Sequence, residues 1–395
     1  MTEYNYDLLV IGSGPGGQSA ALQAASLGKR VGLVERKPYL GGVSLQTGTI
    51  PSKALREAAY LASRFSSRGM RDAVHIRDQQ HSGFLSEAVG RKQAVIDRHE
   101  RLLLNQLMSH GVTLLPGEAG FIDAHTLNLR NVNSEAVQLS AAVIVLATGS
   151  RPRRPADVPF DKERVLDSTS VLQMRRLPRR MTIIGGGVIA CEFATIFAPL
   201  GVAVSLVDSH DHLLAYLDED IQQTLEHDLL DMGVQLHMQT RIKQIERQGE
   251  RVQLETDSGI NLETDIVLYA LGREPNYDSL ELAAAGIDAD DHGWVRINEH
   301  HQTSRDHIYI IGDLAGRPSL ASTAMEQGRL AMNHAFDRDH AATAGQLPMA
   351  IYSIPELSYV GNTERELQEQ GVDYVIGRAR FSETARGQII GEERG

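Results

Sequence analysis

The sequence predicts an α/β protein with two doubly wound, Rossmann-like units, and three observations carry that reading. First, the apolar strand Tyr6–Ile11 runs straight into glycines at 12, 14 and 17, within YDLLVIGSGPGG. Second, the same device recurs in MTIIGGGVIA, residues 181–190, with Gly185, Gly187 and Ala190 at the same spacing. Third, each copy is followed by an apolar strand ending in an acid: Glu35 closes VGLVE and Asp208 closes VSLVD. In such a unit the glycine turn admits a pyrophosphate, and the helix behind it offers free N–H groups and its positive dipole end. The carboxylate accepts hydrogen bonds from ribose hydroxyls. One copy is a weak signal. Two with matched acids imply that the chain holds two dinucleotides.

The elements follow in order. Residues 6–11 and 31–35 read as parallel strands around a helix at 15–27, and a glycine-rich loop (39–49) leads to a helix starting near Pro51. From 85 to 110 apolar residues recur at helical spacing between charges, which predicts a long amphipathic helix. Short strands are expected at 112–115, 118–123 and 126–129, and AVIVLA at 142–147 reads as a buried strand ending in Thr148-Gly149-Ser150. The Arg- and Pro-rich stretch 151–159 reads as a linker.

The second fingerprint then opens a new unit, closed by a strand at 265–271 and the turn Gly272-Arg273-Glu274-Pro275-Asn276. HIYIIGD at 307–313 is a further strand ending in Gly312-Asp313, with a helix around 322–336. That piece would overfill the second unit, so it is assigned back to the first. The expected division is 1–150 and 277–346 for the first domain, with 151–276 inserted between them. Residues 347–395 begin a third, α+β unit with a strand at 352–353, a helix at 363–369 and a strand at 374–380, its sheet left incomplete at Gly395.

Composition narrows the partners. The net charge is −12, which argues against nucleic acid or an anionic membrane surface, since both need clustered positive charge. The basic runs at 151–154 and 175–180 lack interleaved aromatics and read as solvated loops. No apolar run approaches the roughly 20 residues that span a bilayer. The opening Met-Thr-Glu-Tyr enters a strand at once, so no signal peptide is expected. Cys191 is the one cysteine, so no intrachain disulfide can form, and the cytoplasm is the expected compartment.

Several motifs span the chain in a fixed order: GSGPGG at 12–17, GGVSLQTGTIPSK at 41–53, ATGS at 147–150, GGGVIACE at 185–192, LGREPN at 271–276 and IGD at 311–313. In these the sequence resembles the flavoprotein pyridine nucleotide-disulfide oxidoreductases, the family of dihydrolipoamide dehydrogenase and glutathione reductase. The resemblance implies two Rossmann-like FAD- and NAD(P)-binding domains of the three-layer ββα type, the second inserted in the first, plus the incomplete α+β interface domain. It implies FAD on the first fingerprint and NAD(H) or NADP(H) on the second, with the isoalloxazine ring between the domains.

One departure is decisive. Disulfide-reducing members place redox cysteines where this chain has Ser44 and Thr49, and a hydroxyl cannot form the thiolate or mixed disulfide of that chemistry. The branch of soluble Si-specific NAD(P)+ transhydrogenases also lacks a complete cysteine pair. Its wording is close at 47–56, 185–197 and 318–330.

For the site residues, the resemblance implies that Lys53 pairs with Glu192 near flavin N5, where positive charge favours the reduced flavin. The plain alternative is a surface lysine and an unrelated helical glutamate. For FAD the candidates are Gly12, Gly14, Gly17, Glu35, Lys53, Thr148, Gly149, Gly312, Asp313 and Ala321; for the nicotinamide nucleotide they are Gly185, Gly187, Ala190, Glu192, Asp208 and Gly272. Asp313 matches the aspartate on the ribityl chain, or is a turn aspartate satisfying its own backbone. Val188 replaces a tyrosine that covers the nicotinamide pocket in some members, or simply packs.

Asp208 favours the 2′-hydroxyl of NAD(H) over the 2′-phosphate of NADP(H), and His210 and His212 follow it where the transhydrogenase branch carries arginines. His210-Asp211-His212 lacks a third metal ligand, so no metal is expected. Cys191 reads as a small buried hydrophobe. The expected function is FAD-dependent hydride exchange between NADPH or NADH and NAD+ or NADP+, without sulfur. An NADH diaphorase or dihydrolipoamide-dehydrogenase-like flavoprotein, and an inactive nucleotide-binding protein with a shortened interface domain, are the alternatives. A homodimer is expected for the family, with the shortened domain against it.

Overall fold

The computed structural model describes residues 4–67, 81–131, 136–290, 293–316, 318–338 and 347–391. The chain divides into two compact units. One comprises Met1–Pro51, Arg91–Arg151 and Arg273–Gly345; the other Ser52–Gly90, Pro152–Gly272 and Gln346–Gly395.

The first unit is built on a parallel sheet. Its strands lie in the order Thr113–Pro116, Val31–Glu35, Tyr6–Ile11, Val137–Leu146, Ile308–Ile310. The chain therefore starts in the middle, moves outward, and returns across the first strand, which is the doubly wound order. Val137–Leu146 serves two sheets. Its second half pairs in parallel with Tyr6–Ile11, and its first half pairs antiparallel with Thr126–Arg130, itself antiparallel to Glu118–Phe121.

Alternation along the central strand sorts the core into two faces. Leu8 and Val10 pack with Ala20, Ala21, Leu103, Leu107 and Met332 from three helices, Pro15–Ser26, His81–Ser109 and Ala321–Ala335. Leu9 and Ile11 pack with Phe121, Leu127, Leu280 and Ile287 on the antiparallel side. The result is helix, parallel sheet, antiparallel sheet: the ββα layering. Strands covered on both faces must be apolar along their covered length, which is why LLVI (8–11) and AVIVL (142–146) read as unbroken runs.

The second unit repeats the plan. Its parallel sheet runs Gln235–His237, Ala203–Val207, Arg180–Ile184, Ile266–Tyr269, Val165–Asp167. Ile183 and Leu268 face the helices, meeting Ala194, Phe197 and Leu225, while Ile184 and Val267 face Val252 and Leu254 of an antiparallel sheet. That sheet, Ile242–Gln248, Arg251–Thr256 and Asn261–Thr264, was absent from the sequence reading. Its strands are half exposed and rich in Glu, Arg and Gln, so no apolar run announces them.

Other sequence expectations are corrected. The stretch 151–159 is not wholly a linker, because Ser150–Pro152 forms a short strand with Arg273–Pro275. GGVSLQ contains a short helix, Gly42–Gln46. In the third region the strand lies at Met349–Ile351 rather than 352–353, and its antiparallel partner is Leu357–Tyr359. The helix Glu364–Glu369 forms behind a capping box in which Thr363 and Glu366 bond each other's backbone N–H groups. No strand forms at 374–380, where Val375 is 98% exposed. Apolar side chains and β-branching favour a strand only where a neighbour supplies the ladder, and none pairs there among the described residues. Residues 392–395 of the expected third unit lie outside the described residues.

Candidate functional site

The two glycine turns share their geometry. Gly12 and Gly185 sit at φ +108 and +118, and a Cβ on either would strike the carbonyl just past a strand end, 2.4 Å from Ala147 O and 2.9 Å from Ala270 O. Only glycine fits there. Gly17 is forced by packing: its Cβ would lie 1.9 Å from Gly12 O, so the helix could not sit against the turn.

The middle glycines differ in kind. Gly14 and Gly187 are extended N-caps, and a Cβ on either would meet no protein atom within 4 Å. No side chain caps either helix. Each turn thus leaves open volume in front of uncapped N–H groups, the arrangement that accepts a pyrophosphate.

Each acid stands beside its turn. Glu35 Oε2 accepts the Ser13 hydroxyl at 2.7 Å and the Ser13 N–H at 3.0 Å, while Oε1 accepts the Lys37 N–H at 2.9 Å. The same Ser13 hydroxyl accepts the Gly41 N–H at 3.1 Å, so one buried serine ties turn, acid and glycine loop together. Sequence reading missed Ser13; its signal was a hydroxyl placed between the first two glycines of the fingerprint. In the second unit Asp208 is buried, and Gly186 leaves it room, since a Cβ there would come 3.0 Å from the carboxylate carbon.

The remaining first-unit candidates lie on two segments joined by side-chain bonds, with Gly312 and Ala321 at the start of a helix. Ser150 Oγ donates to Asp313 Oδ2 at 2.6 Å, and Arg273 donates to both Ser150 Oγ and Ser150 O at 2.8 Å. Thr148 Oγ1 donates to Asn276 O at 2.8 Å and Asn276 Nδ2 returns a bond to Thr148 O at 2.9 Å. These bonds join the turn after Val137–Leu146 to the segment opening at Arg273, and fix Gly149 at φ +69. Gly312, at φ +69, donates its N–H to Gln327 of the following helix at 2.8 Å, and Ala321 opens that helix with no side-chain cap before it.

In the second unit Lys53 and Glu192 meet. Lys53 Nζ lies 2.9 and 2.8 Å from the two oxygens of Glu192, whose carboxylate is 10% exposed against 25% for the lysine side chain. Glu192 Oε1 also accepts the Tyr352 N–H at 2.9 Å, and the Tyr352 ring lies 4.6 Å from Lys53 Nζ. One turn along the same helix, Arg56 donates to Ser353 O at 3.1 Å and pairs with Glu356 at 3.1 Å. The helix Thr49–Ser67 is therefore pinned twice to residues 352–356. Sequence reading missed Tyr352, because its contribution comes from backbone and ring face.

Ala190 and Cys191 are fully buried in Val188–Phe197, and burial, with Asp208 and Glu192 nearby, pushes the thiol far above its usual range. It packs as a small apolar group. Gly272 stands in a left-handed turn whose carbonyl accepts the Arg153 N–H at 3.2 Å.

Comparison with known proteins agrees with this architecture. The family model described as pyridine nucleotide-disulphide oxidoreductase matches residues 6–328, and that family's dimerisation domain matches 347–395. The chain belongs to this family. Its FAD-dependent, pyridine-nucleotide-using members are oxidoreductases, and the two open turns fit those two groups. A soluble pyridine nucleotide transhydrogenase of Mycobacterium bovis (strain BCG / Pasteur 1173P2) is 40% identical over 99% of this chain and 83% of its own length. One from Colwellia psychrerythraea is 38% identical over 98% of this chain and 82% of its own length. Among solved structures, LpdA from Mycobacterium tuberculosis superposes with TM-score 0.90 at 27% identity, covering 98% of this chain and 85% of that one. The HOCl-induced flavoprotein disulfide reductase RclA from Escherichia coli, as its Cu(II) complex, gives 0.87 at 25% identity over 100% and 85%. No helix among the described residues is long and apolar enough to cross a membrane.

Proposed function

We propose that this family member is a soluble, Si-specific NAD(P)+ transhydrogenase that moves hydride between NADPH or NADH and NAD+ or NADP+ without a redox disulfide. The observation that carries the reading is the pair of open glycine turns, each with its acid, in a sequence whose one cysteine is buried. Bound FAD would supply the two-electron store, accepting hydride at N5 from one nicotinamide and returning it to the next.

In this reading Gly12, Gly14, Gly17 and Glu35 hold the adenosine diphosphate half of FAD, and Thr148, Gly149, Gly312, Asp313 and Ala321 its other half. Gly185, Gly187, Ala190, Asp208 and Gly272 hold the nicotinamide nucleotide. Lys53 and Glu192 form the catalytic pair: the carboxylate fixes the ammonium, which favours an electron-rich reduced ring. The open position at Val188 suits two nucleotides exchanging in turn. Residues 1–150 and 277–346 would act as the FAD domain, 151–276 as the nucleotide domain, and 347–395 as part of an interface that makes a homodimer. The relatives' names support the transhydrogenase assignment, and a cytoplasmic location goes with it.

The test is anaerobic. Purified protein loaded with FAD is titrated with NADH and then NADPH while flavin bleaching is followed, and turnover is measured with each donor against thio-NAD+ and thio-NADP+. Bleaching by both donors with turnover onto the thio-nucleotides is expected. Reduction by NADH alone, with electrons passing only to a quinone, would replace the assignment with a diaphorase, a reading that Asp208 favours.

A further inference from the structure

We propose that Arg273 is a positioning residue for the flavin: acting through Ser150 it fixes the Asp313 carboxylate, and its charge offsets that carboxylate so that bound flavin is easier to reduce. The inference rests on the FAD-binding reading of the first unit.

Three side chains from separate segments of that unit meet in line. Ser150 Oγ donates to Asp313 Oδ2 at 2.6 Å, and Arg273 Nε donates to Ser150 Oγ at 2.8 Å. A hydroxyl carries a single proton. With the guanidinium donating to its oxygen, the serine commits that proton to Asp313, and the relay runs in one direction. Arg273 Nη2 donates to Ser150 O at 2.8 Å, so the guanidinium grips both side chain and backbone of the serine. Arg273 Nε stands 3.9 Å from Asp313 Oδ2, too far for a hydrogen bond and close enough for its charge to act.

The carboxylate is held from its backbone as well. The Gly312 N–H is bonded to Gln327 Oε1 at 2.8 Å, and Asp313 O accepts the Gly316 N–H at 3.3 Å. Among the described residues no hydrogen bond reaches Asp313 Oδ1, so one oxygen of a fixed carboxylate is left for a donor from outside the protein. The neighbouring cation cannot replace Arg273. Arg151 Nε lies 2.6 Å from Glu274 Oε1, and its Nη1 is held by Asp278.

The chemistry follows from the two things asked of Asp313. As an acceptor for a ribityl hydroxyl it must keep its oxygens free of protons. As a negative charge it opposes the electron density that reduction adds to the flavin. A cation one residue away meets both demands, because it offsets the charge without covering Oδ1. Passing the bond through buried Ser150 also sets the carboxylate before the cofactor arrives, which removes an ordering cost from binding.

FAD affinity is measured by flavin fluorescence, and the midpoint potential of the bound flavin by equilibration with reference dyes, each beside thermal unfolding. In Arg273→Met, FAD affinity is expected to fall about tenfold, the scale of one charge-assisted hydrogen bond. Reduced flavin should lose about tenfold more than oxidised flavin, a shift of about 30 mV to more negative potential for a two-electron couple. Arg273→Lys keeps the charge and should restore the potential. Ser150→Ala cuts the relay but leaves the guanidinium, so FAD should bind more weakly at a nearly unchanged potential. An unchanged potential in Arg273→Met, whatever its melting temperature, would overturn the proposal and leave the arginine as a fastener of the strands Ser150–Pro152 and Arg273–Pro275. If the methionine variant does not fold, Ser150→Ala decides, since undiminished FAD affinity there would overturn the relay. A wild type that binds no FAD would overturn the FAD reading itself.

Discussion

Removing the Lys53–Glu192 contact tests the second-unit site most directly. Glu192→Gln keeps size and shape but replaces one of two oxygens facing Lys53 with an amide that has only protons to offer. The ammonium, bonded to both oxygens at 2.9 and 2.8 Å, loses its counter-charge and keeps one amide oxygen and the Tyr352 ring as neighbours. Breaking a buried pair typically costs about 3–5 kcal/mol. Lys53 is 25% exposed, so water recovers part of its solvation, and about 2–3 kcal/mol is the expected loss. Replacing both partners, as Lys53→Met with Glu192→Leu, leaves no stranded charge and should recover most of it. Urea denaturation of the wild type, Lys53→Met, Glu192→Leu and their double variant gives the coupling energy, expected at about 1.5–3 kcal/mol. A coupling below about 0.5 kcal/mol would refute the reasoning, because charges at these distances in so dry a place must communicate.

Three further expectations concern the first unit. Gly12→Ala should prevent folding or cost several kcal/mol, since its Cβ would lie 2.4 Å from Ala147 O at φ +108, whereas Gly14→Ala should change stability by less than about 1 kcal/mol and weaken FAD binding at least tenfold. Thermal unfolding read beside flavin retention separates these two outcomes. Ser13→Ala removes the hydroxyl that serves both Glu35 and Gly41, and calorimetry should find FAD affinity lowered with about 1–2 kcal/mol of stability lost. The stacked rings of His125 and His307, 3.8 Å apart, give an acid limit: burial, then the neighbouring imidazole, holds His307 below its ordinary pKa despite its bond to Ala124 O. A depressed histidine contributes stability that is full above the unfolded value, near 6.5, and is lost as pH falls through the folded one. Denaturation midpoints should therefore drop below pH about 6.5 in the wild type and drop less in His307→Asn.

Much of the molecule was legible in the sequence because its parallel strands are buried on both faces. YDLLVI, VGLVE, RMTII and AVSLV had to be mostly apolar, and glycine was the only residue for Gly12 and Gly185, so strand, turn and helix declared themselves locally. The matched acids Glu35 and Asp208 were legible for the same reason, standing at fixed offsets from those turns. Tertiary structure alone decided what depends on partners far along the chain. The antiparallel sheet of the second unit shows one face to water and carries charged residues, so its pattern was faint. Val375 looked like a strand residue, and among the described residues no neighbour pairs with it. Ser13 on Glu35, Tyr352 on Glu192 and Ser150 on Asp313 are contacts of geometry rather than of residue type, since two hydroxyls and a backbone N–H acquire their roles only from the carboxylate folding sets before them.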